Sequence, residues 1–61
     1  MPRITVEWFA GRSKEQRDQV AKDVTDSVVR IANVKPEQVS VVFQEISPEF
    51  QYVAAVPKSA R

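Results

Sequence analysis

Apolar and polar residues alternate near the start of the chain. The apolar positions are Ile4, Val6 and Trp8, and the polar positions between them are Thr5 and Glu7. A period of two with β-branched and aromatic residues is typical of a β-strand. Phe9 follows on the Thr5 and Glu7 face, and Gly11, the single glycine, permits a tight turn. The pattern predicts a strand that ends just before Gly11.

The spacing of apolar residues then changes to that of a helix. One apolar stripe consists of Val20, Ala21, Val24, Val28, Ile31 and Ala32. Ser13 and Gln16 form a capping-box pattern, and Asn33 can adopt the left-handed conformation that ends a helix. We therefore predict a helix from about Lys14 to Ala32. Acid-then-base spacing predicts two exposed ion pairs, Asp18 with Lys22 and Asp26 with Arg30.

A second strand is predicted from Val39 to Ile46, after a short turn at Pro36–Gln38. Its nearly continuous apolar centre suits a buried strand beside the first one. Strand, long helix and strand form a β-α-β unit, so the two strands should be parallel with a right-handed crossover. Residues 50–56 could add a short strand, and residues 57–61 are predicted to be a mobile tail. The fold class is α+β, with residues 1–61 as a single domain.

The length of the chain limits its stability as a monomer. A chain of 61 residues buries only about 60% of its unfolded surface. It has no Cys and no His, which excludes disulfides, the usual zinc sites and His-dependent triads. A two-stranded sheet also leaves both of its edges open. Small scaffolds are usually stabilised by disulfides, a metal or oligomerisation, so we expect this chain to form an oligomer.

The charges exclude several classes of partner. Nine basic and eight acidic residues are interspersed, so no electrostatic footprint for nucleic acid or an anionic membrane is visible. No apolar run approaches the length of about 20 residues that spans a membrane. The N-terminus lacks the basic and apolar regions of a signal peptide. We expect a cytoplasmic protein that binds a small molecule and requires no metal and no cofactor.

Two residues near the start could carry out chemistry. Methionine is usually removed when a small residue such as Pro2 follows, and this would expose a secondary amine that can act as a base. While Met1 is present, the Pro2 nitrogen belongs to an amide and is not basic. Arg12 lies one residue before the helix cap, and a guanidinium can pair with a carboxylate through two hydrogen bonds.

With these features the chain resembles the 4-oxalocrotonate tautomerase family. The resemblance rests on the segment Phe9–Gln16, at its distance from Pro2, and on the strand Val39–Glu45. It implies a cofactor-independent isomerase that acts on a small 2-hydroxy-dienoate or 2-oxo acid. It also implies Pro2 as general base, Arg12 as catalytic carboxylate binder, and a hexamer, built as a trimer of dimers, whose neighbouring subunits complete the sites. Apolar surroundings such as Phe9 and Trp8, and a nearby Arg12 from the same or another subunit, would favour the neutral amine.

The chain departs from this family at several positions. Ser40 stands where the type enzyme has an arginine that polarises the substrate carbonyl, and a serine hydroxyl donates a hydrogen bond without a charge. The family also has an aromatic side chain in its pocket near position 50. Phe50 is the candidate here, but a gapless comparison points to Gln51, and Tyr52 follows. Ala54 and Ala55 replace glycines, so we expect a different local hairpin.

Two functional hypotheses follow. The first is an active tautomerase with Phe9, Ser40 and Phe50 in contact with the substrate. The second is a weak or inactive tautomerase-fold subunit or binding protein, which Ser40 and the presence of Met1 favour. A ribbon-helix-helix DNA binder is excluded, because residues 39–46 lack a helical period and the charge is nearly balanced. Homo- and hetero-oligomers both remain open at this point.

Overall fold

A computed structural model describes residues 1–60, except for the side chain of Ala60. The longer elements are β1 (Arg3–Phe9), α1 (Lys14–Ala32) and β2 (Ser40–Ile46). A two-stranded C-terminal hairpin follows, with β3 at Tyr52–Val53 and β4 at Val56–Pro57. Short 3-10 turns occupy Pro36–Gln38, Pro48–Phe50 and Lys58–Ala60.

Strands β1 and β2 pair in parallel, which confirms the predicted β-α-β unit. Their register runs from Arg3 opposite Ser40 to Phe9 opposite Ile46. Alternate residues of β1 are half-buried and exposed, as the period of two predicts. The second strand begins one residue later than predicted, because Val39 ends the preceding 3-10 turn.

The helix has the predicted bounds because both of its ends carry strong local signals. The Gln16 backbone N–H donates to Ser13 Oγ at 3.2 Å, and the Ser13 N–H donates to Gln16 Oε1 at 2.9 Å. These bonds satisfy backbone groups that lack partners within the helix. At the other end, Asn33 takes the left-handed conformation with φ 56°.

The predicted ion pairs along the helix are wrong. Lysine precedes aspartate in both observed pairs, which are Lys14 with Asp18 at 2.6 Å and Lys22 with Asp26 at 2.7 Å. Helical side chains tilt toward the N-terminus, so a short aspartate lies over the preceding turn and meets a lysine there. The hydrogen bond and the attraction of Asp26 raise the pKa of Lys22.

The C-terminal segment is more ordered than predicted. Strands β3 and β4 pair antiparallel, with Val53 opposite Val56. Ala54 and Ala55 form the turn between them with φ values of 53° and 66°. The Lys58 N–H donates to the Gln51 carbonyl at 2.8 Å and closes the base of the hairpin. The prediction of a mobile tail is therefore wrong as far as Lys58, and Arg61 lies outside the described residues.

A single chain does not form a core of buried side chains. Among residues 1–59, whose burial is described, no side chain is fully buried. The accessible surface is 4762 Å², against about 4,000 Å² for a compact monomer of this mass. The radius of gyration is 14.7 Å, against about 10.5 Å for a compact chain of this length. Ile31, on the apolar stripe of α1, is 74% exposed. These values agree with the expectation of an oligomer.

Neither a membrane-spanning helix nor a metal-binding cluster is found in the described part of the chain. Within residues 1–60, no helix combines the length and the apolar content needed to cross a membrane. In the same residues, no cluster of three or more His, Cys, Asp or Glu side chains is arranged to hold a metal ion.

Candidate active site

The loop between β1 and α1 places Arg12 by backbone hydrogen bonds. The Ala10 N–H donates to the Ile46 carbonyl at 3.0 Å, which continues the ladder one residue beyond β1. The chain then turns at Gly11, whose φ of 115° is a conformation that residues other than glycine rarely adopt. Arg17 Nη1 donates to the Arg12 carbonyl at 3.4 Å from the first turns of α1. The backbone of Arg12 is therefore held from both sides.

The side chain of Arg12 lies over an aromatic ring. Its Cζ atom is 5.7 Å from the centroid of the Trp8 ring, within the range of a cation–π interaction. Trp8 also stacks with Phe43, with ring centroids 5.1 Å apart and an interplanar angle of 28°. The guanidinium thus rests on a side chain that is itself packed against β2.

An open cavity of 250 Å³, here called the Arg12 cavity, lies at the C-terminal end of β1. It is lined by Glu7, Trp8, Phe9, Arg12, Ile46 and Gln51. The structure therefore brings together two of the predicted site residues, Phe9 and Arg12. A second cavity of 380 Å³, here called the helix cavity, is lined by Trp8, Arg12, Gln16, Gln19 and Val20. Trp8 and Arg12 belong to both cavities.

Two other predicted residues, Pro2 and Ser40, lie at the opposite end of the sheet. The Ser40 N–H donates to the Pro2 carbonyl at 3.1 Å, so Pro2 and Ser40 are neighbours at the start of the two strands. Phe9 lies seven residues after Pro2 along an extended strand, which corresponds to about 23 Å. That distance far exceeds the length of an arginine side chain. Within one chain, Pro2 and Arg12 cannot meet.

The residues near position 50 divide between the cavity and the surface. Gln51 lines the Arg12 cavity, and the base of the hairpin holds it there through the bond from Lys58. Phe50 is 76% exposed and Tyr52 is 62% exposed, and neither lines that cavity. The substrate contact predicted for Phe50 remains a prediction, and within one chain Gln51 occupies the nearer place.

From the sequence, Trp8 was expected among the apolar surroundings of the Pro2 amine and Gln51 was one candidate for the pocket, but neither was placed beside Arg12, and Glu7 was not predicted as a site residue. Glu7 and Phe9 share one face of β1, so the period of two could have placed Glu7 beside Phe9. The contact of Arg12 with Trp8 had no sequence signal, since it depends on how the loop returns over the strand. Gln51 reaches the cavity through the fold of the C-terminal segment.

A parallel β-α-β unit with a short C-terminal hairpin, a guanidinium at one end of β1 and a proline at the other define the class of the protein. The family described as "Tautomerase enzyme" matches residues 2–61. The chain belongs to the tautomerase family.

Individual relatives agree with this assignment. A protein of Streptococcus pyogenes called a probable tautomerase is 42% identical over 52 residues, which are 85% of this chain and 84% of the relative. One of the 4-oxalocrotonate tautomerase isozymes from Methylibium petroleiphilum has a TM-score of 0.91 and 30% identity, covering 97% of this chain and 92% of its own. A heterohexamer 4-oxalocrotonate tautomerase from Chloroflexus aurantiacus has a TM-score of 0.89, with coverage of 97% and 95%, and its 22% identity shows the shared fold alone.

Proposed function

We propose that the protein is a cofactor-independent keto–enol tautomerase that acts on a small 2-hydroxy-dienoate or 2-oxo acid. The observation that carries this proposal is the Arg12 cavity, which Arg12 and the apolar side chain of Phe9 line together, with the Arg12 guanidinium over the Trp8 ring. Such a cavity suits a ligand with a carboxylate at one end and a carbon chain behind it. Membership of the tautomerase family supports the reaction type.

The proposed reaction moves one proton. After removal of Met1, the neutral Pro2 amine accepts the proton of the substrate's 2-hydroxyl group, and the C–O bond becomes a carbonyl as the electrons shift along the diene. The resulting prolinium returns that proton to a carbon atom of the substrate. General base catalysis of this kind typically contributes about 10²–10⁴-fold to the rate. Arg12 binds the substrate carboxylate and places it for the transfer.

Because Pro2 and Arg12 lie at opposite ends of β1, the proposed site requires two subunits. A two-fold axis pairs identical strands antiparallel. If the open edge of β1 pairs with its symmetry mate, Pro2 of one subunit approaches the Phe9 end of the other. The open core and the elongated shape of the chain support such an assembly. We propose a hexamer formed as a trimer of dimers, the arrangement that the family resemblance implies.

A second candidate function is a weakly active or inactive subunit. Ser40 favours it, because an exposed hydroxyl beside Pro2 cannot supply the charge that stabilises a developing oxyanion. Losing one such stabilising group typically costs about 3 kcal/mol of transition-state stabilisation. The protein of the same fold from Chloroflexus aurantiacus is described as a heterohexamer, which is an assembly of unlike subunits.

The proposal is tested with three preparations assayed side by side for ketonisation of 2-hydroxymuconate and 2-hydroxypenta-2,4-dienoate. The processed protein that begins with Pro2 should show weak but measurable turnover. A form that retains Met1 should be inactive, because an amide nitrogen cannot accept the proton. Ser40→Arg should raise the turnover of the processed form. Intact mass establishes the N-terminus of each preparation, and sedimentation establishes that the oligomer is intact.

The outcomes separate the two candidate functions. Equal activity with and without Met1 would show that Pro2 is not the base. Inactivity of all three intact oligomers would favour the binding-subunit function. Arg12→Ala should weaken carboxylate binding more than it lowers thermal stability, because its guanidinium lies at the cavity wall while Ser13 caps the helix. A parallel loss of binding and stability would assign Arg12 a structural role.

A further inference from the structure

Arg12 lines two neighbouring cavities, and its guanidinium lies over the ring of Trp8. The Arg12 cavity and the helix cavity share Trp8 and Arg12 as lining residues, so this pair forms the wall between them. On the helix side, the amide side chains of Gln16 and Gln19 line the space that an unrestrained arginine could enter. An arginine side chain free to sample both cavities loses that rotamer entropy whenever it binds a ligand.

The stack on Trp8 reduces this freedom. The distance of 5.7 Å from Arg12 Cζ to the ring centroid corresponds to a cation–π contact, and Phe43 stacks with the same ring. Trp8 Nε1 is buried and has no hydrogen-bond partner within residues 1–60. The contacts that the structure gives this side chain are made by its ring, with Arg12 and with Phe43.

We propose that Trp8 is a positioning residue that holds the Arg12 guanidinium at the boundary of the two cavities and thereby sets the affinity of the site for carboxylates. This inference rests on the proposed function, because it assumes that Arg12 binds the carboxylate of the ligand. Trp8 does not need to touch the ligand. It acts by presenting a preorganised cation, so that little side-chain freedom is lost on binding.

The experiment uses adipate, an unreactive dicarboxylate, as the probe, and the intact oligomer as the protein. Trp8 is the only tryptophan, so the tryptophan fluorescence comes from a single position in the chain, next to Arg12. Adipate should change that fluorescence in the wild type and should not do so in Arg12→Ala. Calorimetry should show that Trp8→Leu weakens adipate binding about fivefold, the equivalent of one exposed cation–π contact. Trp8→Phe should restore most of the affinity because it keeps a ring face.

Two controls separate positioning from general loosening of the sheet. Val6→Ala lies two residues away in the same strand and should lower stability without changing the affinity for adipate. With 2-hydroxymuconate as substrate, Trp8→Leu should raise KM more than it lowers kcat. If Trp8→Leu does not assemble, the fluorescence response of the wild type and of Arg12→Ala still tests the contact, since neither changes Trp8.

Each contrary result has one meaning. If Arg12→Ala abolishes adipate binding while Trp8→Leu binds like the wild type, the positioning role is wrong and the proposed function stands. If binding depends on Arg12 but leaves the tryptophan fluorescence unchanged, the positioning role is also wrong. If Arg12→Ala binds adipate normally, the carboxylate site in the proposed function is wrong.

Discussion

The hairpin that carries Gln51 to the Arg12 cavity is closed by two strained alanines. Ala54 and Ala55 have φ values of 53° and 66°, so both lie in the left-handed region. That conformation costs an L-residue about 1–2 kcal/mol, and glycine avoids the cost. Glycine also gains freedom in the unfolded chain, which lowers stability by about 0.4–1 kcal/mol. The net expectation for each alanine-to-glycine change is a stabilisation of about 0.8 kcal/mol.

Denaturant unfolding at fixed protein concentration measures this effect, because the stability of an oligomer depends on concentration. Ala54→Gly and Ala55→Gly should each increase the free energy of unfolding. Ala10→Gly is the matched control, since Ala10 is also exposed but is not among the residues with positive φ. It should lower that free energy by about 0.4–1 kcal/mol. If all three changes lower stability equally, the turn stores no strain and the reasoning is refuted.

Three further predictions concern the helix and the assembly. Ser13→Ala should destabilise the protein by about 1 kcal/mol, measured by unfolding, because it removes the bond to the Gln16 N–H. Sedimentation at micromolar concentration should show no folded monomer, since one chain leaves its core open. The raised pKa of Lys22 contributes stability below its ordinary pKa of 10.5, and this contribution disappears as the pH rises through the higher folded-state pKa. Asp26→Asn should lower that pKa, as followed by NMR.

The sequence predicted those elements whose signals are local. The helix bounds followed from Ser13, Gln16 and Asn33, whose side-chain and backbone preferences act within one turn. The parallel pairing followed from the order of the elements. The ion pairs were wrong because several pairings satisfy the same i, i+4 spacing and the tilt of the side chains decides among them. The hairpin was only partly predicted, because Ala54 and Ala55 lack the usual preference for its turn.

The candidate site shows a different limit, because the sequence gives the place of each residue along its strand but not the distance between the residues in the fold. The sequence presents Pro2 and Arg12 only ten residues apart, which suggests proximity. An extended strand converts that short separation into the full length of the sheet, about 23 Å from Pro2 to Phe9. The same strand that separates them has an open edge, and an identical strand running in the opposite direction would bring the two ends together. Assembly with further copies of the fold would therefore answer three features at once. These are the shortness of the chain, its open core and the division of the proposed site between two strand ends.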